Sequence, residues 1–87
     1  MNARHAQKGT EMTDHQLSLI QRYYTNWKQA LDEYERAQDA AERNGDEEGG
    51  IAANRNVCWT MGILSGVENV MAALGYGISE DGIIEKE

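Results

Sequence analysis

Acidic side chains recur at helical spacing in the middle of the chain. They are separated by steps of three and four residues, which return side chains to one face of an α-helix, and two glutamates follow directly. We call this set the acid stripe, and its members are Asp32, Glu35, Asp39, Glu42, Asp46, Glu47 and Glu48. Carboxylates about 5 Å apart along a helix axis imitate the close spacing of duplex phosphates and attract basic surfaces. The stripe therefore predicts a binding surface for a basic partner. Its simpler interpretation is a solvated face, supported by the pairs Asp32–Arg36 and Asp39–Arg43.

A second group of polar residues combines cations, an amide and an aromatic ring. Its members are Arg22, Tyr23, Asn26, Lys28 and Arg55. Planar rings with guanidinium and ammonium groups can hold a nucleotide or another small anion. The group gives an alternative prediction, a ligand site between protomers. For Arg55 the simpler interpretation is an ion pair with Asp39 or Glu42, and for Glu68 an ion pair with Lys28 or Arg22.

The sequence offers little support for catalysis or for a metal site. It contains no P-loop, and no serine, histidine and aspartate in a triad order. Neither His5 nor His15 has a second histidine or a cysteine at metal-ligand spacing, and Cys58 lies inside an apolar helical pattern. We therefore expect a non-enzymatic protein with no metal and no cofactor.

The net charge of −7 is concentrated between residues 32 and 48, which hold eight acids against Arg36 and Arg43. A nucleic-acid-binding protein shows the opposite sign, so we expect no direct nucleic-acid binding. The uncharged run from Asn56 to Val67 is too short to span a bilayer, which takes about 20 residues, and we expect no membrane insertion. One cysteine and an N-terminus without an apolar run are typical of a cytoplasmic protein.

Apolar periodicity predicts two long helices in a chain of 87 residues, enough for one small domain. The first helix spans 13–44, with Thr13 and Gln16 as a capping box and Asn44-Gly45 as a stop. Its core stripe is Leu17, Ile20, Tyr24, Trp27, Leu31, Tyr34, Gln38 and Ala41. The second helix spans 51–74, and its core stripe is Val57, Thr60, Leu64, Val67, Met71 and Leu74.

Residues 46–50 form a short polar connector, which predicts an antiparallel hairpin. Alternatively, Asp46 caps the second helix and moves its start earlier. Residues 1–12 are polar and aperiodic, and we expect a flexible arm. After the domain of residues 13–75, the tail 76–87 contains Asp81-Gly82 between isoleucines, which predicts a short irregular or β-hairpin segment. The fold class is thus an all-α, antiparallel two-helix hairpin with a C-terminal tail.

The second helix has almost no charged outer face, which is typical of a helix buried on more than one side. One hairpin leaves a patch of large apolar side chains exposed, and such a patch indicates a partner surface. We expect the partner to be another copy, giving a dimer or tetramer built as a helical bundle. The predicted interface residues are Trp59, Gly62, Ile63, Gly66 and Val70. Each of the two glycines costs about 1 kcal/mol against alanine, and close approach of another helix would explain them. The alternative is that they make room for Trp59 or Tyr24.

These observations lead to three hypotheses. The first is a small acidic interaction protein, homo-oligomeric, that presents the acid stripe to a protein with a basic surface. One form of this role is an inhibitor that mimics nucleic acid at a basic groove. The second is an oligomer that binds a small molecule between protomers, and the third is a purely structural assembly module.

Overall fold

The computed structural model describes residues 12–87 and contains a helical hairpin followed by a small sheet. Helix α1 spans Asp14–Arg43 and helix α2 spans Glu47–Ala73. Strands β1 (Tyr76–Ile78) and β2 (Ile84–Lys86) pair antiparallel, with Gly77 opposite Glu85. The predicted two-helix hairpin with a β-hairpin tail is confirmed. The predicted flexible arm, residues 1–12, lies outside the described residues except for Met12.

The start of α1 follows from residues 12–17. The Thr13 hydroxyl accepts a hydrogen bond from the Gln16 backbone N–H at 3.1 Å, and the Gln16 side chain accepts one from the Thr13 N–H at 2.9 Å. This is the predicted capping box. Met12 and Leu17 both pack against the core, at the two positions that form a hydrophobic staple. Met12 therefore belongs to the folded domain, whereas the sequence placed it in the arm.

The turn between the helices is three residues long. The Asp46 N–H donates to the Ala41 carbonyl at 2.8 Å and the Gly45 N–H donates to the Glu42 carbonyl at 3.2 Å, which closes α1 with a Schellman motif. Gly45 has φ +70°, as this motif requires. The Asp46 carboxylate then accepts from the Gly49 N–H at 3.0 Å and caps α2. The second helix thus begins at Glu47, not at residue 51, as the alternative role of Asp46 predicts.

The core lies between the two helices and extends into the tail. Its buried cluster is Tyr24, Leu64, Met71, Tyr76 and Ile84. The three helical members belong to the predicted core stripes. Leu74 does not join them, because it is the C-cap of α2 and 39% exposed. The tail residues supply apolar contact at this end of the hairpin instead.

The tail forms a hairpin whose three-residue loop, residues 80–82, is closed by a hydrogen bond between Ser79 and Ile83. The Ser79 N–H donates to the Ile83 carbonyl at 3.0 Å, and the Gly82 N–H donates to the Ser79 carbonyl at 2.9 Å. Gly82 has φ +83°, the left-handed conformation that such loops place at their last residue. The predicted Asp81-Gly82 turn is therefore confirmed, with glycine in the position that needs it.

Thr60 is a polar residue in the middle of the helix interface. It is 0% exposed, and its hydroxyl oxygen has no hydrogen-bond partner within residues 12–87. A buried hydroxyl without a partner retains its desolvation cost, whereas an apolar group of the same shape does not. We expect Thr60→Val to raise the free energy of unfolding by about 1 kcal/mol in urea denaturation.

The matched control for this prediction is Thr60→Ser, which keeps the hydroxyl and removes the methyl group. It is expected to lower the free energy of unfolding by about 1 kcal/mol. A loss of stability in Thr60→Val would show that the hydroxyl has a stabilising partner.

Candidate interaction surfaces

Gln21 holds the tail against one side of the helix pair. Its amide nitrogen donates to the Gly82 carbonyl at 2.8 Å, and its amide oxygen accepts from the Ile84 N–H at 2.7 Å. The same nitrogen lies 3.2 Å from the Thr25 hydroxyl. Gly82 also sits close to the Tyr24 ring and the Lys28 stem. The tail therefore covers the side of α1 that carries Gln21 and Lys28, which we call the tail side.

A buried tyrosine connects α1 to α2 next to the tail. Tyr24 is 3% exposed, and its hydroxyl donates to the Glu68 carboxylate at 2.6 Å. Burial, together with the hydrogen bond to this carboxylate and its negative charge, raises the pKa of Tyr24 to about 12. Glu68 therefore binds Tyr24, whereas the sequence suggested an ion pair with Lys28 or Arg22. This bond links the two helices through their side chains.

The acid stripe continues the tail side toward the turn. From Lys28 onward, steps of four and three residues lead to Asp32, Glu35 and Asp39, so that these side chains share one face of α1. Every member of the stripe is exposed. Within residues 12–87, the suggested pairs Asp32–Arg36 and Asp39–Arg43 do not form ion pairs. The carboxylates of the stripe are therefore open to solvent and free of cationic partners in this part of the chain.

A hollow of about 480 Å³ lies at the turn, where the stripe ends. Glu42, Asp46 and Glu47 line it together with the exposed side chain of Ile51. Asp46 and Glu47 reach this position because α2 begins in the turn itself. A hollow lined by carboxylates and apolar groups suits the long stem and charged head of a lysine or arginine. The hollow can thus accept a basic side chain from a partner.

The opposite side of the helix pair is apolar. We call it the apolar face, and its members are Tyr23, Trp27, Trp59, Gly62, Ile63, Gly66 and Val70. Trp27 meets Trp59 edge to face, with ring centroids 5.6 Å apart, and meets Tyr23 at 6.3 Å. Beside them an open groove of about 450 Å³ is lined by both helices, including Ile63, Gly66 and Val70.

All five predicted interface residues therefore lie on one face of α2, and their role in assembly stays a prediction. Trp59 is 61% exposed. A Cβ atom built on Gly62 or Gly66 would meet nothing within 4 Å. The fold of one chain thus gives no packing reason for either glycine.

The alternative ligand-binding residues are spread around the hairpin. Tyr23 lies on the apolar face, Lys28 lies on the tail side, and Arg22 and Asn26 are exposed on α1. Arg55 is exposed on α2 and makes no ion pair with Asp39 or Glu42. One chain does not bring this group together, so a shared ligand site would need residues from a second copy.

Sequence reasoning missed Gln21 and misassigned Glu68. The sequence carries no local signal for either contact, because Gln21 bonds to groups 61 and 63 residues away and Glu68 to one 44 residues away.

Within residues 12–87, no cluster of histidine, cysteine and carboxylate side chains is arranged to bind a metal ion. In the same part of the chain, no helix combines the length and apolar character needed to cross a bilayer.

Comparison with known proteins gives no family assignment. No protein-family model matches the chain, and neither the curated proteins nor the solved structures include a significant match. The function must therefore be inferred from the two surfaces themselves.

Proposed function

We propose that this chain is a non-enzymatic interaction protein that self-associates through its apolar face and presents its acid stripe to a basic protein. One observation carries the proposal, namely that the stripe is exposed along its whole length and ends in the hollow at the turn, which Glu42, Asp46 and Glu47 line. Carboxylates along one side of a helix pair, without cationic partners among residues 12–87, create a negative field that steers a basic surface toward them. Because the apolar face lies on the other side, both surfaces can be occupied at once.

The spacing of the stripe supports a more specific form of this role. Its members on α1, Asp32, Glu35, Asp39 and Glu42, advance about 5 Å along the helix axis from one to the next, so a groove that tracks nucleic-acid phosphates can follow them. In this form the chain acts as an inhibitor by occupying such a groove. Duplex DNA should then compete with the immobilised chain for a nucleic-acid-binding protein that the acid stripe binds. Binding of such a protein that is unchanged by added DNA would contradict the inhibitor role.

The acid stripe is tested by reversing two of its charges. We expect Asp39→Lys combined with Glu42→Lys to weaken binding of a fluorescein-labelled lysine-rich peptide about tenfold, because two attractions become repulsions. Fluorescence anisotropy measures the change, and added salt should weaken wild-type binding steeply.

The matched control is Glu80→Lys combined with Glu85→Lys, which changes the net charge equally at two exposed acids of the tail. It should leave peptide binding within about twofold of wild type, since both sites lie outside the stripe. Equal losses in the two double variants would reduce the effect to net charge and contradict a defined docking surface.

A further inference from the structure

The apolar face has no cover within the residues that the structure describes. Gln21 fixes the tail on the opposite side of α1, so the tail cannot also reach the groove beside Ile63 and Gly66. Residues 1–11 offer one large apolar side chain, Met1, which is too little to fill an apolar groove of about 450 Å³. A second molecule offers the apolar surface that these segments lack.

We propose that a second copy of this chain covers the apolar face, with the two α2 helices packed antiparallel about a two-fold axis between Gly62 and Ile63. The inference rests on the self-association included in the proposed function, and it specifies the partner, the orientation and the contact residues. The product is a four-helix bundle made of two hairpins.

The face is complementary to itself about this axis. Trp59 and Gly66 lie at equal distances on either side of the point between Gly62 and Ile63. In the antiparallel pair, Trp59 of one copy therefore meets Gly66 of the other, and the same contact forms a second time, as a two-fold interface requires. Trp59 protrudes, being 61% exposed, whereas Gly66 lines the groove and has open space where a side chain would lie. A protruding ring and a receiving groove are thus placed in register.

The two glycines acquire a reason in this arrangement. Glycine disfavours a helix relative to alanine, and neither Gly62 nor Gly66 is required by a contact within one chain. Near a two-fold axis, the absence of a side chain lets two helix backbones approach closely.

The charge distribution selects the orientation. An axis perpendicular to the helices places the two acid stripes at opposite ends of the bundle. A two-fold axis parallel to the helices would place both at the same end, where like charges repel. The members of the apolar face are uncharged, and Arg55, one helical turn before Trp59, lies at the end of the contact, opposite Val70 of the other copy.

The available area is sufficient for a dimer. Two helices about 10 Å wide, in contact over the roughly 32 Å from residue 52 to residue 73, a stretch symmetric about the axis, give a face on the order of 640 Å² per copy. The pair would bury about 1,300 Å², in the lower part of the range for a stable interface.

Cysteine cross-linking tests both the partner and the orientation. In a Cys58→Ser background, Gly62→Cys should form a disulfide-linked dimer under mild oxidation, because its two copies lie beside the axis. Gly66→Cys should not form this link, because its two copies are separated by about 10 Å along the helix direction, which is beyond disulfide range. Met61→Cys is the matched control, since Met61 is 53% exposed but points away from the apolar face. Sedimentation equilibrium on the unmodified chain should give a dimer.

The outcomes separate this inference from the proposed function. A monomer in sedimentation, or no cross-link in Gly62→Cys, overturns the dimer, while the peptide assay on the acid stripe is unaffected. A cross-link in Gly66→Cys as strong as that in Gly62→Cys overturns the orientation. An equally strong cross-link in Met61→Cys shows random collision and also counts against the inference.

Discussion

Trp59→Ala is expected to weaken self-association at least about 100-fold, the largest effect predicted here for a surface residue. In the two-fold arrangement each substitution removes two indoles from two grooves, and a buried aromatic anchor commonly contributes 2 kcal/mol or more. The monomer should remain helical, because Trp59 is exposed and lies outside the buried core. Sedimentation equilibrium measures the association constant, and circular dichroism checks the helix content.

Met61→Ala is the matched control for this prediction. Met61 is two residues away on the same helix and similarly exposed, but it lies off the apolar face. Its removal should change the association constant by less than about threefold, as is usual outside a hot spot. Similar effects of the two substitutions would indicate nonspecific apolar association rather than a defined interface.

Gln21→Ala is expected to lower the free energy of unfolding by about 3 kcal/mol and to release the tail. The Gly82 carbonyl and the Ile84 N–H both lose their partner, and each such group costs about 1–3 kcal/mol when it is shielded from water. A chain of this length has a total stability of only about 4–13 kcal/mol, so the loss is a large fraction of it. Urea denaturation measures the stability, and limited proteolysis detects cleavage within the tail.

Two further variants define the role of the Gln21 amide. Gln29→Ala removes the same side chain from an exposed position of α1 and should change stability by less than about 0.5 kcal/mol. Gln21→Glu can still accept from the Ile84 N–H, but it sets a carboxylate oxygen against the Gly82 carbonyl in place of a donor, so it should also be less stable than the wild type. Tail cleavage at the wild-type rate in Gln21→Ala would show that the tail is held by its apolar contacts alone.

Features of the fold that depend on nearby residues could be predicted from the sequence. Thr13 and Gln16 are three residues apart, so the capping box was visible as a pattern and is confirmed. Asn44-Gly45 likewise ends α1, and Asp81-Gly82 forms the tail turn. The start of α2 was misplaced because residues 46–50 resemble a loop in composition, whereas Asp46 closes one helix and caps the next.

The sequence alone determined that there are two helices, their core stripes except Leu74, the tail turn and the acid stripe, because periodicity and local hydrogen bonds fix each of these. Tertiary structure decided which side of the helical hairpin the tail covers, that Glu68 accepts a hydrogen bond from Tyr24, and that Gln21 binds the tail at Gly82 and Ile84. Those contacts join residues 44 to 63 positions apart. Their partners are chosen by how the helices pack in three dimensions, which the spacing along one helix does not encode.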